Sequence, residues 1–168
     1  MTPKINTHQH TISLLVNNKP GVLIRISLIF ARRGFNLDSL VVSPGMTEKF
    51  SRMTITASGD KDALRRILQQ LNKLVDVIHA SDHTGSKVVE RELALIKISC
   101  TPDTRTELIQ ISDHFKCQTV DISNDHLTLE TTGSTEKLDA LIEMVKPLGI
   151  IEMVRTGKLL VTRGSAET

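Results

Sequence analysis

Tryptophan and tyrosine are absent from the 168 residues, and four phenylalanines make up the whole aromatic content. A sugar-binding platform or a base-stacking surface draws on more rings than that. Two cysteines, Cys100 and Cys117, cannot build a disulfide framework, and no Asn-x-Ser/Thr acceptor occurs. No apolar run reaches the roughly 18 residues of a membrane-spanning helix. Met1 to His10 is polar and does not read as a signal peptide, so the expected setting is a reducing cytoplasm. Charge of one sign is also lacking. Lys and Arg number 21 against 19 Asp and Glu, net +2, which argues against a dominant phosphate-backbone binder. The 39% hydrophobic and 24% charged fractions are those of an ordinary globular chain of one domain or two small ones.

What is present is one plan written twice. Ile12, Leu14 and Val16 alternate, predicting a strand over 11–16. Asn17 to Gly21 is turn chemistry, and apolar residues at 22, 26, 29 and 30 predict a helix over 22–33 that stops at Gly34. Strands are expected at 37–43 and 52–57, joined through Pro44-Gly45. Asp60 offers an N-cap to a helix carrying Leu64, Ile67, Leu68 and Leu71, and 75–80 reads as a fourth strand. The polar stretch 83–92 separates this unit (1–82) from a second one (93–168). There, strand 93–100 leads into a helix opened by Thr101-Pro102, and strands 119–122 and 127–131 flank an Asn124-Asp125 turn. Ser134 caps a helix ended by Pro147, strand 150–154 follows, and 158–162 adds a short extra strand. The fold expected is α+β: two tandem ferredoxin-like βαββαβ domains.

Units of this size are marginal alone. On the first helix Ile24 and Leu28 lie off the Val22–Ile26–Ile29 stripe, and strands 40–42 and 93–96 are apolar on both faces. A partner surface is expected there, against the plainer reading that these are single exposed apolar residues.

Catalytic motifs are missing: no Gly-x-Ser-x-Gly elbow, phosphate-binding loop or dinucleotide fingerprint occurs. Thr156-Gly157-Lys158 reads as a turn. His79/His83 and His8/His10 lack the further ligands of a metal site, and the cysteines, seventeen apart, read as small hydrophobes. A catalytic role is not expected. The segment Asn17-Asn18-Lys19-Pro20-Gly21-Val22-Leu23 carries the remaining chemistry. A helix N-terminus suits a carboxylate, Gly21 permits close approach, and the Asn18 amide can accept from an ammonium group. Asn36 is expected near the same end of the sheet. An aliphatic amino acid against Val22 and Leu23 fits these groups, although a plain turn and cap fits the residues too.

The blocks 19–23, 30–37 (Phe-Ala-Arg-Arg-Gly-Phe-Asn-Leu) and 51–55 (Ser-Arg-Met-Thr-Ile) resemble the ACT domain of acetohydroxyacid (acetolactate) synthase small subunits. Residues 70–75, 91–97, 137–140 and 155–157 extend the resemblance over almost the whole chain. It implies a non-catalytic regulatory subunit of branched-chain amino-acid synthesis that works as a homodimer. The implied catalytic partner carries thiamine diphosphate, magnesium and FAD; this chain carries no cofactor. The implied effector is valine, with leucine or isoleucine as alternatives. Its contacts would be Asn18, Pro20, Gly21, Val22 and Leu23, with Asn36 from the neighbouring subunit, and Ile24 and Leu28 would lie in the dimer interface. Two other readings compete: an amino-acid sensor for a different client enzyme, and an RNA-binding βαββαβ module, which the missing aromatics disfavour. Neither nucleic acid nor membrane is an expected partner.

Overall fold

The computed structural model describes residues 8–165 and 168, with only the backbone of His8. It divides into two compact units, one formed by the described residues up to Val89 together with those of 158–168, the other by Glu90–Gly157.

In the first unit, β1 (His8–Asn17) sends Ile12, Leu14 and Val16 into the core at 0–3% exposure. α1 (Val22–Ala31) buries Val22, Ile26 and Phe30 against the same layer. It is two residues shorter than expected, because the chain leaves the helix at Arg32 and turns through Gly34 at φ +68°. β2 (Asn36–Pro44) and β3 (Phe50–Gly59) follow. α2 (Lys61–Leu71) is capped as the sequence predicts, the Ala63 amide donating to the Asp60 carboxylate at 2.9 Å. β4 (Val77–Asp82) completes an antiparallel sheet of order β2-β3-β1-β4. One face of this sheet carries both helices. The other is lined by hydroxyls: Thr11, Ser13, Thr54 and Thr56 are buried there. Ser13 hydrogen-bonds His83 at 2.8 Å, the Thr11 amide donates to Thr84 at 3.2 Å, and Arg52 donates to the Thr168 carbonyl at 2.7 Å. The segment after β4 and the segment after residue 157 thus supply partners for a face that alternation alone assigns to solvent.

The second unit repeats the order as β6-β7-β5-β8, from β5 (Val88–Ser99), β6 (Gln118–Ile122), β7 (His126–Gly133) and β8 (Ile150–Arg155). α3 (Pro102–Phe115) opens on a reciprocal Thr101/Thr104 capping box with Pro102 in its first turn. α4 (Thr135–Val145) is capped by Ser134 and runs into a single 3-10 turn at Lys146–Leu148. The expected boundary, 83–92, differs from the structure. β5 already starts at Val88, the compact units divide after Val89, and β9 (Leu159–Thr162), which pairs with β5, counts with the first unit. The polar composition of 83–92 hides that strand because Glu90, Arg91 and Glu92 interrupt its apolar alternation.

The strands read as apolar on both faces resolve differently. In β2, Leu37 and Leu40 pack on the core, Val41 is half-buried and Val42 is exposed at the open edge. In β5, Ala94 and Ile96 are buried, and Leu95 is 39% exposed on the face without helices. Ile24 and Leu28 on α1 are exposed at 66% and 45%. Among the described residues no helix is long and apolar enough to cross a membrane.

Candidate functional site

The turn between β1 and α1 is held from below by Asp76. The Asn17 amide donates to the Asp76 carbonyl at 2.8 Å and its side chain to Oδ1 at 3.4 Å, while Arg25 pairs with Oδ2 at 2.5 Å. The β2–β3 connection holds it from the side. The Asn18 amide donates to the Lys49 carbonyl at 2.8 Å, and Asn18 Nδ2 donates to the Glu48 carbonyl at 3.0 Å. With Nδ2 committed to Glu48, Asn18 Oδ1 is the atom left to accept from an ammonium group. Neither Asp76 nor Glu48 is legible as a site residue in the sequence, since each acts through a contact between distant segments.

Gly21 is the N-cap of α1 and adopts φ +84°, ψ −9°, with no side-chain cap. A left-handed residue here lets the chain reverse from Pro20 into the helix. Among the described residues no side-chain cap hydrogen bond serves the first-turn amides, and the helix dipole favours negative charge in front of them. Asn18, Lys19, Pro20 and Gly21 are all exposed, and the Leu23 side chain is 39% exposed beside them. Asn18 and Leu23 thus flank an uncapped helix start, with a hydrogen-bond acceptor on one side and an aliphatic surface on the other.

Two expectations need correction. The Val22 side chain is 2% exposed and part of the core, so it offers no surface to a ligand. Its place as first residue of α1 hides this, because residue 22 is also the first member of the buried 22–26–30 stripe. Asn36 does not approach the same end of the sheet. Asn17 pairs with Phe50 of β3, whereas Asn36 pairs with Ser58, eight residues further along that strand. At about 3.3 Å per residue the separation is roughly 26 Å. Within one chain Asn36 and the turn cannot share a ligand. Asn36 is exposed and donates to Asp38 at 3.3 Å.

The other residues singled out by type have local partners. His79 Nε2 lies 2.6 Å from Ser81, His10 donates to the Gly59 carbonyl at 3.2 Å, and no group of three metal-ligating side chains occurs among the described residues. Cys100 is buried and Cys117 half-buried. Burial pushes the Cys117 thiol up, against smaller opposing effects of Thr131 and Lys137, which keeps it protonated and a poor nucleophile at neutral pH.

Two ferredoxin-like βαββαβ units in tandem, the first presenting an exposed helix start, define an α+β fold. Comparison with known proteins gives the particular family. Residues 12–79 match the family described as "AHAS small subunit-like ACT domain", and residues 91–164 match "Small subunit of acetolactate synthase". The chain is 43% identical to a probable acetolactate synthase small subunit of Archaeoglobus fulgidus, over 94% of this chain and 98% of that protein. It is 44% identical to an acetolactate synthase small subunit of Mycolicibacterium smegmatis, over 94% and 93%. The crystal structure of the Thermotoga maritima small subunit superposes with a TM-score of 0.83 at 34% identity, covering 95% of this chain and 99% of that one. The chain belongs to the acetolactate synthase small-subunit family, with an ACT domain as its first unit.

Proposed function

We propose that this chain is the non-catalytic regulatory subunit of an acetolactate synthase, that it activates a catalytic partner, and that it makes that partner sensitive to valine. The observation that carries the reading is the Asn18–Leu23 turn, an uncapped helix start flanked by an ammonium acceptor and an exposed leucine. A zwitterionic aliphatic amino acid is complementary to it: carboxylate to the first-turn amides, ammonium to Asn18 Oδ1, side chain to Leu23. Valine is the effector favoured by the family resemblance, with leucine and isoleucine as the alternatives.

The site is completed by a second copy. α1 runs from the turn toward the Asn36 end of the unit, and its Ile24 and Leu28 are exposed near its middle. A two-fold axis across that stripe sets the two α1 helices antiparallel. The same operation brings Asn36 of one copy to the Gly21 end of the other. β2, an edge strand with an exposed Val42, lies on this side of the sheet. Valine bound between two copies therefore reads the geometry of the dimer.

Regulation then follows from linkage. The small subunit favours an active state of the catalytic subunit, and valine, bound more tightly to the less active arrangement, draws the complex toward it. A coupling of about 1–3 kcal/mol is ordinary for such a device. The chemistry and its thiamine diphosphate, magnesium and FAD belong to the catalytic partner, and the setting is cytoplasmic. A client other than acetolactate synthase is the competing reading that the same turn would serve. An RNA-binding role is disfavoured because Thr11, Ser13, Thr54 and Thr56, buried hydroxyls, occupy the central strands where stacking rings would be needed.

The test is acetolactate formation by the cognate catalytic subunit, with and without this chain, across a valine titration. Activation that valine reverses is expected. No activation and no complex would redirect the site to another client.

A further inference from the structure

The two sheets differ in what covers their helix-free faces. In the first unit Thr11, Ser13, Thr54 and Thr56 are buried on that face, and His83, Thr84 and Thr168 supply hydrogen-bond partners there. In the second unit the corresponding face is open. Leu95 and Val154 stand on it at 39% and 56% exposure, and with Lys97, Thr128 and Glu152 they line a shallow hollow of about 230 Å³. β5 and β8 set these side chains opposite one another in register, Leu95 with Val154 and Lys97 with Glu152. Although Lys97 and Glu152 are cross-strand neighbours, among the described residues neither forms an ion pair.

We infer that this face packs against the same face of a second copy. Two sheets stacked face to face, about 10 Å apart, keep their strands roughly aligned. A two-fold axis running along the strands, midway between β5 and β8 and midway between the sheets, lays β5 of one copy over β8 of the other. Because of the register, the same operation sets Leu95 over the partner's Val154 and Lys97 over the partner's Glu152. Each aliphatic side chain then meets an aliphatic one and each charge its opposite, which is the self-complementarity that an isologous contact demands. Ion pairs that exposed side chains do not make within one copy become favourable between two, where water is partly excluded. Thr128 and Glu130, on β7, fall outside the overlap and stay at its rim. A nucleic acid is disfavoured, since the patch sets one lysine beside two carboxylates and offers no ring. The contact needs neither valine nor a catalytic partner, and it shares no residue with the α1 stripe.

The experiment mixes two full-length single variants, Lys97→Glu and Glu152→Lys, one of them isotopically labelled, and counts pairings by native mass spectrometry after subunit exchange. Each variant opposes like charges in a contact with itself, whereas a contact between the two variants restores both opposite-charge pairs. Strand neighbours within one copy are the same in either assembly, so only a contact between copies moves the ratio. Mixed assemblies should exceed homotypic ones at least about fivefold more than in a mixture of labelled and unlabelled wild type, and the excess should shrink at high salt. Leu95→Thr/Val154→Thr should raise the concentration at which the assembly dissociates by about tenfold, read by sedimentation, with circular dichroism verifying the fold. A ratio equal to the wild-type control with both variants folded, or unchanged dissociation of the threonine pair, overturns the inference and leaves the valine reading intact. Such a ratio together with lost activation of the catalytic subunit, or with a lost valine site, also overturns it by giving the face to that occupant. Monomeric wild type overturns it along with the α1 dimer.

Discussion

Asn18 and Asn36 stand at opposite ends of one sheet, the first following the residue that pairs with Phe50 and the second pairing with Ser58. Both cannot touch one small ligand unless a second chain supplies one of them. The proposed valine site, which draws on both residues, therefore requires a dimer, and Ile24 and Leu28, exposed on α1, are the residues expected to hold it. Ile24→Glu combined with Leu28→Glu should weaken self-association by at least about tenfold, since two buried aliphatic side chains are worth several kcal/mol. Analytical ultracentrifugation reads this directly; an unchanged dimer would move the interface elsewhere.

Gly21 separates backbone strain from ligand exclusion. A Cβ added there meets no atom within 4 Å, but the φ of +84° disfavours any L side chain. Gly21→Ala and Gly21→Asp should each lose about 1–2 kcal/mol of stability in denaturant unfolding. Only the aspartate variant should lose valine inhibition, because its carboxylate takes the place of the ligand's own. Equal valine sensitivity in both would contradict the site.

Much of this architecture is legible in the sequence because local signals agree. Asp60, Thr101 and Ser134 announce their helices, and the 12–14–16 alternation announces β1. The site is legible only as a turn. Its supports, Glu48 and Asp76, arrive from segments 30 and 59 residues away in the chain. Position 22 looks available for a ligand, yet it is the first residue of a buried stripe. Thr11, Ser13, Thr54 and Thr56 look solvent-facing, yet they are buried on a face where His83, Thr84 and Thr168 supply hydrogen-bond partners. Such contacts leave no periodic trace.

In the second unit, Arg155 donates to Glu92 Oε2 through Nε at 3.0 Å and Nη2 at 2.6 Å, and to Asp139 at 2.6 Å; Thr135 donates to Glu92 Oε1 at 2.5 Å. Burial opposes the Arg155 charge, but the bonds to Asp139 and Glu92 outweigh it and raise its pKa. The Glu92 side chain is only 5% exposed. Arg155→Met should cost about 3 kcal/mol by stranding a buried carboxylate, and the further change Glu92→Gln should recover part of it. Urea unfolding of the single and double variants gives the coupling.

Asp125, at the β6–β7 turn, has its carboxyl held below the ordinary 3.8 by the Ser123 hydroxyl and by His126. Its folded value is depressed, so its contribution is complete above about pH 4 and fades as pH falls through the depressed value. Amide exchange at Ser123–His126 should therefore accelerate on acidification below pH 4 in the wild type, beyond the intrinsic pH dependence of exchange. Asp125→Asn should show no such step.

Valine binding by a mixture of two single variants tests the intersubunit site most directly. Asn18→Ala and Asn36→Ala each damage both sites of a homodimer. If the site joins two copies, random re-pairing of the two variants makes half the dimers heterodimers with one intact site. Calorimetry on the re-paired mixture should then find about a quarter of the wild-type valine sites at wild-type affinity. If each site lies within one chain, the mixture will bind no better than the separate variants, and that result would contradict the account.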